Sequence, residues 1–200
     1  MGRAGPFFGR AKHRARRLFS LNAAFAILCL LLSSTPAYVF ASQTPLESEI
    51  KAAFLLNFAK LVIWPDSESD SMEEDFLIGI HGDSQLLKVC REGLQGKAVG
   101  ALKIKVLKVG EGETFDLPVG MKILFISKEH KIDIERTIAS VTDRPVLLVS
   151  DHAGFAHMGG SIELVQDKNH MGFEINRAQE FRSGMKINSR LLRIAQQVVD

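Results

Sequence analysis

The residues that could do chemistry are few, and most have a simpler role. Ser150, Asp151 and His152 have the residue types of a nucleophile, an acid and a base. They are chain neighbours, however, and a catalytic triad is a spatial constellation that three consecutive residues rarely form. His152 and His157 with Asp151 suggest a zinc site, but Gly154 breaks any helical spacing between them and a fourth ligand is missing. Asp83 follows an apolar run, and ligands of open α/β sheets bind at strand carboxyl ends. Capping of the next helix explains Asp83 more simply. Gly79, Gly82, Gly93, Gly96 and Gly100 do not fit G-x-G-x-x-G, and no GK[ST] occurs. No catalytic residue, metal or cofactor is expected. Asp83 and Asp151 remain candidates for a small ligand held in a crevice at the strand ends.

The N-terminal segment reads as an address. Arg3, Arg10, Lys12, Arg14, Arg16 and Arg17 precede an apolar run over 21–32, then Pro36 and the small-residue site Val39-Phe40-Ala41. This order predicts a secretory signal peptide over 1–41 and an exported domain over 42–200. The apolar run is shorter than the roughly 20 residues of a membrane span. Leu28 before Cys29 argues against lipidation, and Arg16-Arg17-Leu18-Phe19 leaves twin-arginine export open beside the general route. Of 25 basic and 23 acidic residues the leader holds six and none, so the remainder has 19 and 23 and a net charge of −4. No basic patch for nucleic acid stands out. Cys90 is alone once Cys29 leaves, which excludes an internal disulfide and suggests a packed thiol.

The elements that would position these residues follow from periodicity. Leu46, Ile50, Ala53, Phe54, Phe58 and Leu61 repeat at helical spacing until Pro65. Leu55, Leu56, Ala59, Val62 and Ile63 extend apolar character round most of that helix. It is therefore either buried on both sides or offers a face to a partner. Phe54, Leu55, Phe58 and Trp64 are the candidate anchors, with Phe155 of the Gly154-Phe155 loop, because aromatic and aliphatic side chains dominate interface hot spots. Strands are expected over 76–81, 102–109, 122–127 and 145–150, with helices over 84–92 and 133–141 between them. The 66–75 stretch is acidic and reads as a solvated loop. Lys103, Lys105 and Lys108 alternate with apolar residues and give one strand a wet face. A hairpin over 161–175 and helices over 177–182 and 187–199 close the chain. The fold class is three-layer α/β, a mostly parallel sheet with helices on both faces and a C-terminal antiparallel hairpin.

Six ordered blocks carry a resemblance. They are EIKAAFLLNFAKLVIWP at 49–65, GIHGDSQL at 79–86, GKAVG at 96–100, VSDHAGFAHMGGSI at 149–162, FEIN at 173–176 and MKINSRLLRIA at 185–195. Together they resemble the YfiR-like (YfiR/HmsC-like) periplasmic family. The resemblance implies a periplasmic α/β domain that represses an inner-membrane diguanylate cyclase by binding its periplasmic sensory part. Cyclic di-GMP and biofilm formation fall as a result. It also implies an outer-membrane, peptidoglycan-associated protein that sequesters the repressor, and a tendency to homodimerise. Other membrane signalling proteins are alternative partners. The family's best-studied disulfides cannot form here, because Cys90 stands alone. The other functional reading is a periplasmic small-molecule sensor.

Overall fold

A computed structural model describes Gly2 and residues 45–65, 75–110, 117–168 and 170–199. Apart from Gly2, the expected leader lies outside the described residues, as does the 66–74 part of the acidic loop. The α/β domain is the unit Gln43–Asp200. Helix α1 (Pro45–Leu61) leads into β1 (Val62–Ile63), then β2 (Asp75–His81), α2 (Ser84–Gly93), β3 (Ala98–Val99), β4 (Leu102–Lys108) and β5 (Met121–Ile126). Helix α3 (Ile134–Ser140), β6 (Leu147–Ser150), β7 (Ile162–Asp167), β8 (His170–Asn176), α4 (Ala178–Ser183), β9 (Lys186–Ile187), α5 (Ser189–Ile194) and β10 (Gln197–Val199) follow.

The main sheet runs β10-β8-β7-β6-β5-β2-β4-β3. Its five middle strands, β4-β2-β5-β6-β7, are mutually parallel. A parallel sheet must be covered on both faces, and the strand sequences obey that requirement. In β5 every residue is buried. Ile123 and Phe125 enter a core under α1, α2 and α5, whereas Leu124 and Ile126 enter a second core on the opposite face. Helix α3 and Phe155 close that second face. Gly79 of β2 is small because a Cβ would meet Val109 Cγ2 at 2.6 Å and Met121 at 3.1 Å. Strand β4 alternates as expected, with Ile104 and Val106 buried and Lys103, Lys105 and Lys108 exposed. Lys105 pairs with Asp75 at 2.9 Å.

The hairpin is β7–β8, in register from Ile162↔Ile175 to Asp167↔His170. The closing helix differs from expectation. Its apolar stripe breaks at Ala195, which is extended (φ −64°, ψ 141°). Residues 197–199 then form a strand parallel to β8. Pairing with the otherwise open edge of β8 satisfies backbone groups that a longer surface helix would leave there, and Val198 and Val199 suit a strand. The pairing of β1 with β9 as a separate two-stranded sheet is a further element that the periodicity does not reveal.

Candidate functional site

The two candidate aspartates do meet, but around a lysine. Asp83 follows β2 and caps α2, its Oδ1 accepting from the Leu86 amide at 2.8 Å. Asp151 follows β6, its Oδ1 accepting from the Lys128 amide at 2.7 Å. Lys51 Nζ, from α1, donates to Asp151 Oδ2 at 2.8 Å and lies 2.8 Å from Glu47 Oε1 and 4.0 Å from Asp83 Oδ2. It also sits 5.7 Å from the centre of the Phe125 ring. The Lys51 and Asp151 side chains are each only 6% exposed. Burial acts against the Lys51 charge, but hydrogen bonds and charge from Asp151 and Glu47 outweigh it and hold its pKa above 10.5. The space between Asp83 and Asp151 is thus filled by the chain's own ammonium. Beside it lies a cavity of about 330 Å³ lined by Gly82, Asp83, Ser84, Leu87 and His130 among others.

The residues that suggested a nucleophilic set serve the loops instead. Ser150 Oγ is buried, donates to the Ile126 carbonyl at 2.7 Å and accepts from the His152 amide at 3.1 Å. His152 Nε2 lies 3.2 Å from the Ser127 carbonyl oxygen. His157 is exposed, 3.8 Å from Glu174, so it contributes to no shared centre with His152. Cys90 is buried, and burial first, then the Asp83 charge, pushes its thiol up to about 12. Such a thiol stays protonated and unreactive.

The candidate anchors divide. Leu55, Phe58 and Phe155 are fully buried and cannot act as surface anchors in this conformation. The reason is cover on both sides of α1, from the sheet beneath and from α2 and α5 alongside. Phe54 is half-buried in a cluster with Phe58 (5.9 Å) and Phe173 (5.5 Å). Phe155 is held inward by its loop. The Glu163 carboxylate accepts from the Gly154 and Ala156 amides at 2.9 and 3.1 Å, and Asn176 Nδ2 donates to the Ala156 carbonyl. A Cβ on Gly160 would strike the Phe155 ring at 2.1 Å.

Trp64 is the candidate anchor that lines a surface cleft. It is half-buried and packs edge-on against Phe76 at 5.4 Å. It borders a cleft of about 400 Å³ that Val62, Pro65, Val99 and Leu102 also line, together with Lys60 and Lys122. Neighbouring Ile63 is 56% exposed. Sequence reasoning counted Ile63 only among the apolar residues of α1 and passed over Lys51. The signal for Lys51 was a lysine interrupting the buried stripe of an apolar helix, four residues after Glu47.

The family model described as YfiR/HmsC-like matches residues 48–196, from the first turn of α1 to the residue before β10. The chain belongs to the YfiR/HmsC-like family. That family consists of periplasmic regulators of cyclic di-GMP signalling and is regulatory rather than catalytic. No curated protein matches the chain significantly. Among the described residues, no helix is long and apolar enough to cross a membrane. In this YfiR/HmsC-like domain the motif blocks are largely fold-building. The V-S-D-x-x-G-F block supplies Ser150, Asp151 and Phe155, and FEIN supplies Phe173 and Asn176, each with the internal partner described above.

Proposed function

We propose that this protein is a periplasmic repressor of an inner-membrane diguanylate cyclase, acting on the cyclase's periplasmic sensory part and so lowering cyclic di-GMP and biofilm formation. The observation that carries the reading is the family match over 48–196. The surface that fits it best is the corner after α1, where Ile63 is exposed and half-buried Trp64 lines a cleft. Aromatic and aliphatic groups beside a pocket are what interface hot spots are made of. Repression requires that the sensor's inactive conformer bind this corner more tightly than its active one, since only differential affinity shifts an equilibrium. An outer-membrane, peptidoglycan-associated protein that took the same corner would relieve repression, and a homodimer is a further state of the same domain.

Deletion of the gene, with cellular cyclic di-GMP as readout, tests the reading. The level rises and is restored by the full-length chain but not by a form lacking residues 1–41. An unchanged level under conditions in which the protein is made contradicts it. A second reading, a small-molecule sensor, has the 330 Å³ cavity beside Asp83 in its favour. It requires a compound that raises the melting temperature of the purified protein in a concentration-dependent way.

A further inference from the structure

Among the described side chains, the first two turns of α1 are held more by charge than by large buried apolar groups. From Glu47 to Phe54 the buried side chains are Ser48, Lys51 and Ala52, with Ile50 and Phe54 half-buried. Full burial of large apolar groups begins at Leu55 and continues through Phe58 and Val62. The main tie at the start of the helix is therefore the Lys51 ammonium. Its surroundings come from four places in the chain. Glu47 is on α1 itself, Asp83 follows β2, Asp151 follows β6, and the Phe125 ring belongs to β5. Carboxylates on one side and an aromatic face on another are what an organic ammonium ion selects. The occupant already in place shows which chemistry the enclosure takes.

We infer that this enclosure is a built primary-ammonium site occupied by the chain's own Lys51, and that the occupancy latches the first two turns of α1 over the carboxyl ends of β2, β5 and β6. Release of Lys51 leaves Asp83, Asp151 and the Phe125 face for an external ammonium. The apolar remainder of α1, from Leu55 onward, stays seated. The opening is then local, a sub-global event well below the free energy of global unfolding. This inference holds whatever partner the domain binds.

Native-state amide hydrogen exchange on the purified protein tests it. In Lys51→Ala, amides of residues 49–54 exchange about a hundredfold faster, the scale expected when one partner of a buried pair is lost. Amides of β5 and β6 keep wild-type protection. Propylammonium at about 10 mM, suited to a ligand of so few atoms, restores protection to 49–54, and propanol at the same concentration does not. Uniform loss across β5 and β6, or no change at 49–54, overturns the latch. Local opening that propylammonium fails to reverse overturns the ammonium site. Should Lys51→Ala fail to fold, the near-isosteric Asp151→Asn carries the latch test. It must open 49–54 alone, and wild-type or uniformly lowered protection overturns the latch.

Discussion

The two ends of helix α1 are held by different physics. Among the described side chains, its start is held by an ammonium among carboxylates at the carboxyl ends of the strands, with Ser48 and Ala52 buried beside it. Its finish is fixed by Leu55, Phe58 and Ala59, sunk into the core, with Phe58 against Phe173 at 5.2 Å. Four residues, about 6 Å of helix, separate Lys51 from Leu55, the first large apolar side chain of the helix to be fully buried. Apolar burial is non-directional and tolerant of small shifts. A buried ion pair holds only while both partners are present and well placed. The apolar end is thus the permanent anchor, and it presents the Ile63–Trp64 corner from a rigid base.

That contrast can be broken at its strong end first. Phe58→Ala should cost about 3–5 kcal/mol, the usual price of emptying a buried aromatic site, read as a lower urea midpoint. A loss below about 0.5 kcal/mol, less than even a conservative core truncation, would mean that α1 is not anchored there. The thinner second face of the sheet offers the next test. Gly160→Ala drives a methyl into the Phe155 ring, and overpacking of this kind costs about 1–3 kcal/mol. An unchanged thermal midpoint would show that the 152–160 loop yields freely.

The charged end has its own signature in pH. Lys51 is raised above 10.5 in the folded state. Its contribution is therefore fully present below pH 10.5 and is lost as pH rises through the higher folded value. The stability difference between wild type and Lys51→Met should be flat near neutrality and shrink above pH 10.5. A difference that instead shrinks on acidification alone would place the coupling elsewhere. The smallest stability effect belongs to the corner. Ile63→Asp, at a 56% exposed position, should change unfolding free energy by no more than about 0.5 kcal/mol, as surface substitutions do.

Legibility in the sequence followed the range of the forces involved. Strand β5, the β7–β8 hairpin and the Asp83 cap are local patterns, and each stands within a residue or two of where the sequence places it. The apolar circumference of α1 was equally plain, but choosing between burial and a partner face requires knowing that α2 and α5 flank it. Hence Leu55 and Phe58 fell in the core. Phe155 turned inward because Glu163 and Asn176, from two later strands, tie its loop. Lys51 went unnoticed because its partner Asp151 lies 100 residues away. Strand β10 was obscured by a stripe that fits 3.6 residues per turn, and the open edge of β8 decided the matter.

The most direct measurement is cellular cyclic di-GMP in a deletion strain complemented with Ile63→Asp, with protein level and melting temperature checked in parallel. The account predicts a folded, exported protein that leaves cyclic di-GMP as high as in the deletion. Full restoration of the low level by that variant would contradict partner binding at the corner after α1.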